Sequence, residues 1–496
     1  MRTLLIIFTG LLLLTTVSAQ KTKLPLYPAA ALQEDIRLLR RTLETHHPSL
    51  YWYTPKDSMD LLFDQTLASI TDSMDEVAFK NKVAYIISRI RCGHSTVRFS
   101  KSFTRKAATR VYPAFPLELK VWGDTMVVLN QLRHSKDSLL PRGSVVNTIN
   151  GKTPRQLLDT FFAFISSDGY AYHYKDLVVS SNFGAWYKTV LGLDTAYRVS
   201  ITDTAGKQSE ILLHNFDPVT DTAWRRQLPR RDVITPALTK RQLRKLQKEQ
   251  ERNFRIDTAS STAILRISTF SGSGLRGFYR RSFRKMHAMG IQHLVIDLRN
   301  NGGGKISNST LLGKYIFDHP FRLADSVFTV NRSLRNSAAI HPFLPYWLEM
   351  QFSAVKTGDQ RFHLRGLEQK TYDPKTRHHF NGDIYLIQGG LSFSATSILL
   401  AGLKGQHNIT LVGEETGGGY YGNSAVHLPT IRMPQSGLRV SLPLYRVVMD
   451  AQRPKGRGVM PDVEAPATID AIRMGIDPKM EKVRQLINGH SSVNRQ

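Results

Sequence analysis

Ser394 and the glycine run Gly302-Gly303-Gly304 stand in settings suited to chemistry. Ser394 follows a buried-type apolar run, residues 384–387, through Gly389 and Gly390, and it precedes an apolar helical run at 397–403. Its hydroxyl is therefore expected at a helix N-terminus, where unpaired N–H groups and the positive end of the helix dipole favour any negative charge that forms. That setting suits a serine attacking a carbonyl, with the amide of Ala395 as a donor to the oxyanion. A serine at such a position is more often only an N-cap, so a second signal is needed. Asn300-Asn301-Gly302-Gly303-Gly304 provides it at the end of another apolar run, 294–298. Consecutive glycines let backbone approach a ligand closely and present free N–H groups, which makes Gly302 and Gly303 candidate oxyanion donors. A Walker loop is excluded because no Gly-Lys-Ser or Gly-Lys-Thr follows, and the glycine spacing of a dinucleotide fingerprint is missing.

The elements that must position these residues form an α/β arrangement, in which buried strands at 294–298, 384–387 and 408–412 alternate with helices and place loops at strand ends. Ahead of them, between residues 28 and 100, apolar side chains recur at helical spacing (Leu32, Ile36, Leu39, Leu43; Phe79, Val83, Ile86, Ile87, Ile90), which predicts a small helical bundle. Its last helix runs out through Arg91-Cys92-Gly93-His94-Ser95, a polar cluster at a helix exit, from which side chains can reach a cleft. Residues 113–213 read instead as short strands. Within them, Val145-Val146-Asn147-Thr148-Ile149-Asn150-Gly151 resembles the strand and turn of a PDZ domain, a module that binds extended peptide ends by strand addition; any small β-rich domain with an Asn-Gly turn is the other reading. Residues 225–255 are strongly basic and read as a solvated linker or exposed helix, with a nucleic-acid or acidic-polymer site as the weaker rival. The expected organisation is a signal peptide at 1–19, a helical domain at 20–110, a PDZ-like domain at 111–215, a basic linker or helix at 216–257, an α/β core at 258–475 and a tail at 476–496.

Composition narrows the class. With 496 residues, 41% hydrophobic and 22% charged, the chain is neither globally disordered nor a polytopic membrane protein. Its 67 Lys and Arg against 40 Asp and Glu give a net charge of +27, which favours anionic surroundings. The single cysteine, Cys92, excludes an intramolecular disulfide and any cysteine cluster for zinc or iron–sulfur. Arg2, the apolar run 4–17 and Val17-Ser18-Ala19 have the layout of a secretory signal cleaved after Ala19. The protein is therefore expected to be exported, periplasmic or extracellular, with no transmembrane span after cleavage and no nucleic-acid partner.

Asp297-Leu298-Arg299-Asn300-Asn301-Gly302-Gly303-Gly304, followed by Ser392-Phe393-Ser394-Ala395 and Val412-Gly413-Glu414-Glu415-Thr416, resembles the C-terminal processing (tail-specific) and tricorn-type serine peptidases. The resemblance implies a crotonase/Clp-peptidase-like catalytic core with an N-terminal helical part and a PDZ-like insert, polypeptide substrates, and neither metal nor organic cofactor. In the processing branch a lysine base stands where this chain has Gly419. The tricorn-like branch, which uses a histidine after the N-terminal helices, is the closer comparison, and it makes His94 the general base. A neutral imidazole can take the serine proton and return it to the leaving amine. Relatives of that branch carry a glutamate before a Gly-Val-x-Pro-Asp motif; here Lys455 holds that position. Ser95, Glu415 and Asp450 are the candidate orienting residues, with Glu414 a further carboxylate nearby. Cys92 as nucleophile is disfavoured by its family position. The leading expectation is an exported serine endopeptidase acting on unfolded or C-terminal polypeptide segments. The alternative is a catalytically impaired member of the same fold that binds peptide or a small ligand, motivated by Gly419 and Lys455.

Overall fold

The computed structural model describes residues 24–109, 112–132, 140–219, 221, 239–334 and 338–493. The signal-peptide reading at 1–19 and the basic residues Arg225, Arg226, Arg230 and Arg231 lie outside the described residues.

Six strands form the central sheet, in the order Val463–Glu464, Ile409–Gly413, Asp383–Gln388, His293–Asp297, Thr262–Ile267 and Arg252–Asp257. Neighbouring strands are parallel except for the last pair, in which Thr262 lies opposite Asp257 in antiparallel register. Parallel strands need crossover connections and cover on both faces, so they read as nearly continuous apolar runs. The period of two is still visible: Leu294 and Ile296 point into the main core, whereas Val295 joins Tyr385, Ile387 and Val412 against Val483 and Ile487 of the C-terminal helix Pro478–Val493. The three strands foreseen at 294–298, 384–387 and 408–412 are present within a residue of those limits.

The N-terminal helices Ala29–His46, Lys56–Ala68 and Glu76–Arg89 bury the apolar stripes read from their spacing, and their core runs without a break into that of the central sheet. Asp75 caps the third helix by accepting from the amides of Val77 and Ala78. Arg91 takes the left-handed conformation, φ 55°, while Gly93 serves a close approach: a Cβ there would lie 2.5 Å from the Phe393 ring. The chain then pairs Val97 with Val440 in a second sheet, which ties the His94 segment to the C-terminal half.

Residues 117–214 carry a five-stranded antiparallel sheet in sequential order, from Leu117–Trp122 to Gln208–His214, with helices Pro154–Phe162, Tyr172–Ser181 and Phe183–Val190 and a core of their own. Asn150 and Gly151 both have positive φ, 49° and 75°, as their turn requires. The described part of the basic run forms helix Lys240–Glu251, with no buried residue, and its end, 252–255, begins the edge strand Arg252–Asp257. Among the described residues no helix is long and apolar enough to cross a membrane.

The first helix is locked to the C-terminal half by Asp35, which is buried and accepts from the amides of Gln435 (3.0 Å) and Ser436 (2.8 Å) and from Ser436 Oγ (2.6 Å). Asp35→Ala leaves the two Ser436 donors buried without acceptors, and it should lower unfolding stability by about 3 kcal/mol. A shift of the urea midpoint equivalent to less than about 1 kcal/mol would contradict this role.

Candidate active site

Strand Asp383–Gln388 delivers the chain through Gly389 to Phe393 into helix Ala395–Leu403, and Ser394 sits at the join with φ 58° and ψ −123°. A non-glycine residue in that region is strained. Ser394 makes no side-chain cap hydrogen bond, so the N-cap reading does not describe it. The turn is held from beneath: Ser392 Oγ donates to Leu298 O (2.9 Å) and accepts from Gly389 N (3.2 Å), while Phe393 N donates to Asn301 O (3.1 Å).

Two glycines press on this turn. A Cβ on Gly303 would lie 2.7 Å from both Phe393 O and Ser394 Cβ, and one on Gly418 would lie 2.2 Å from Ser397 Oγ. Of the amides foreseen as oxyanion donors, that of Gly303 is engaged by Asn301 Oδ1 at 2.9 Å. The amides of Gly302 and Ala395 make no hydrogen bond among the described residues. All three residues line one cleft of about 1060 Å³ together with Ser394 and His94. Its remaining wall is largely apolar, including Ile306, Leu367, Ile398, Val426, Leu428 and Val447.

His94 is 9% exposed and packs its ring 4.8 Å from that of Phe393. Nδ1 is buried without a partner, and burial alone pulls the pKa down to about 4, so the ring is neutral at neutral pH. No hydrogen bond joins it to Ser394 among the described residues, a looseness common in unliganded sites.

The candidate orienting groups are placed elsewhere. Ser95 Oγ bonds His47 Nε2 at 3.0 Å. Glu415 takes Arg457 in a two-pronged pair (2.9 and 3.0 Å) and accepts from Gly458 N at 2.7 Å. Asp450 pairs with Arg453 at 3.0 Å and accepts from Gln452 N at 2.9 Å. Glu414 is paired with Lys479, and Lys455 lies over the ring of Tyr421.

The carboxylate that does approach His94 is Asp168, which the sequence reading did not single out. Its oxygens accept from Gly93 N (2.8 Å) and Gly419 N (3.3 Å). A carboxylate oxygen, Cys92 Sγ and a His94 ring nitrogen all lie within 4.8 Å of one another. Burial pushes Asp168 up to about 7 against the opposing pull of the two amide bonds. No local pattern in Ser166-Ser167-Asp168-Gly169 announces this placement. Cys92 is buried and its thiol is pushed up to about 12, which makes it a poor nucleophile.

A largely parallel sheet whose strand ends carry a strained serine and free amides, with a neutral histidine lining the same cleft, has the parts that a serine hydrolase uses. Residues 261–465 match the model of peptidase family S41, so the chain carries a serine-type peptidase domain of that family. In fold it is similar to mature CPAF (TM-score 0.61, 14% identity, 93% of this chain and 98% of that one). It is likewise similar to mature CPAF complexed with lactacystin (TM-score 0.62, 14% identity, 94% and 99%). No curated protein matches the chain in sequence.

Because His94 is held neutral when folded but charges freely when unfolded, the unfolded state binds the extra proton as pH falls from about 6.5 toward 4. His94 therefore costs the parent stability across that window. His94→Gln should gain on the parent by up to about 3 kcal/mol between pH 7 and pH 4, read from denaturation midpoints. A difference that stays constant with pH would contradict the buried neutral state.

Proposed function

We propose that this protein is an exported serine endopeptidase that cuts unfolded or C-terminal polypeptide segments. Ser394 Oγ attacks the scissile carbonyl as His94 takes its proton, and the amides of Gly302 and Ala395 receive the developing oxyanion. The protonated imidazole then gives its proton to the leaving amine, and water releases the acyl group by the same steps in reverse roles. The observation that carries this reading is the meeting, on one cleft wall, of an uncapped strained serine, a neutral buried histidine and two unpartnered amides. The sheet at 117–214 supports a PDZ-like role in holding an extended peptide: Ser180 Oγ occupies the Val121 amide and carbonyl on one edge strand, and Gln208–His214, the strand at the other edge, is the one assigned to strand addition. The tricorn-like choice of base is supported at Gly419, where a Cβ would lie 2.4 Å from Gly422 O and leaves no room for a lysine. The reading needs no metal, organic cofactor or nucleic acid.

The test is mass spectrometry of a denatured protein and a mixed peptide library incubated with the mature chain, with Ser394→Ala and with His94→Ala. Cleavage by the parent, with each variant slower by at least about 10³-fold, is the expected result. Unchanged cleavage by Ser394→Ala would overturn the nucleophile. Absence of cleavage by the parent at any pH, with peptide still bound, would favour the impaired binding protein. Export is tested separately: the mature chain should begin at Gln20, and a retained Met1 would contradict cleavage.

A further inference from the structure

We propose that Asp168 is the positioning residue of His94, supplying from the insert the carboxylate that related peptidases place after the nucleophile. The inference rests on the reading of Ser394 and His94 as the reacting pair.

A neutral imidazole carries one N–H. If Nε2 is to accept the serine proton, that hydrogen must sit on Nδ1, and Nδ1 of His94 is buried with no partner. A buried N–H without an acceptor is costly, so the working enzyme needs one within reach. Two groups lie within 4.8 Å of a ring nitrogen of His94, close enough for a small closing movement to bring one to Nδ1: the Asp168 carboxylate and Cys92 Sγ. The carboxylate is much the better acceptor, and it also stabilises the imidazolium that forms when the serine proton arrives. The other acids considered are engaged: Glu415 by Arg457, Asp450 by Arg453 and Glu414 by Lys479.

Asp168 is also held where such a group must be held. Its bond to Gly93 N fixes the residue next to His94, and its bond to Gly419 N fixes the turn where a lysine-based relative keeps its base. Each carboxylate oxygen can accept again, so these bonds leave capacity for the imidazole. The turn carrying Asp168 is pinned on both sides, by Gly169 N to Arg91 O (3.0 Å) and by Tyr170 N to Gly456 O (2.8 Å). The close pass of Gly169 against Gly456, where a Cβ would come within 2.5 Å of Cα, admits no side chain. The groups that face Asp168 are Cys92 and His94 from the helix exit, Tyr53 from the loop after the first helix and Tyr174 from the helix that follows the turn. None is a lysine or arginine. Arg91, which lines one small cavity with Asp168, lays its guanidinium over the Tyr170 ring, and among the described residues no cation pairs with Asp168, so the imidazolium of His94 is the counter-charge that the reaction brings to it.

The experiment measures kcat, KM and the pH–rate profile on a peptide that the parent cleaves, for the parent, Asp168→Asn and Cys92→Ala. It also reads the His94 tautomer in the parent by ¹⁵N NMR, assigned with His94→Ala. Asp168→Asn should lower kcat by about 10²–10⁴-fold with KM within about threefold, as expected when a histidine loses its orienting carboxylate. The acid limb of its profile should also move to lower pH, because the imidazolium loses its only nearby anion. A merely structural role would reduce the active fraction and leave the limb in place. The parent should carry the His94 proton on Nδ1, a reading that stands even if Asp168→Asn fails to fold. A proton on Nε2, an unmoved limb in folded Asp168→Asn, or a limb that moves only with Cys92→Ala overturns the proposal. If Ser394→Ala still cleaves, the reading of the reacting pair has failed; if Ser394→Ala and His94→Ala are dead but Asp168→Asn matches the parent, only this inference has failed.

Discussion

Backbone at the cleft lies closer to backbone than side chains permit. Gly303 rests on the carbonyl of Phe393 and the Cβ of Ser394, and Gly418 presses on the same turn from the other side. Positive φ at Ser394 costs on the order of 1–3 kcal/mol, and it persists because the surroundings fix the turn more firmly than the strain can relax it. Ser392 and Phe393 bond to Leu298 and Asn301, so the serine turn and the glycine loop hold each other in place. Two parallel strands running side by side, His293–Asp297 and Asp383–Gln388, bring both loops out at one end of the sheet. The fold thereby converts strand pairing into the distance between Ser394 and the amides next to it.

The histidine reaches this point from another part of the chain, and its environment does the rest. His47, His94, Cys92 and Asp168 are all buried, and burial holds each of them toward its uncharged form. His47 is fixed as a tautomer: Nδ1 accepts from Ser49 N at 3.1 Å, which leaves the Nε2 proton for Ser95 Oγ. Ser95 is thus part of the support beneath the His94 segment, one layer behind the cleft. The strand pairing of Val97 with Val440 and the Asp35 contact to Ser436 complete that support, and they explain why the helical part shares one core with the central sheet.

The division between what was legible and what was not follows contact order. The strand-to-helix turn at Ser394, the glycine loop, the three buried strands and the helical stripes are written in contiguous residues or in a local period, and each is where the pattern puts it. The Gly303 amide was legible only as one of two glycines; its engagement by Asn301 depends on a side-chain rotamer that glycine counting does not reveal. Glu415 looked available because it stands beside the family motif. Arg457, 42 residues later, claims it. Asp168 was invisible for the opposite reason: it lies far in sequence from both His94 and Ser394, and only the folded path of the 167–170 turn brings it to the histidine.

The two departures from the family pattern also belong together. At Gly419 the strand-like contact with Gly458 and the nearby Gly422 carbonyl close the space that a lysine would need. Its amide points instead to Asp168, so the same position that excludes one kind of base anchors the carboxylate nearest the other. Lys455, in place of a glutamate, lies against Tyr421 rather than turning inward, where burying its charge beside neutral groups would be costly. Burial lets an imidazolium form only transiently and only against an anion close at hand. Under that constraint the proposed base is better a histidine than a lysine, and the residue proposed to position it is the one whose carboxylate the backbone brings near, whatever its place in the sequence.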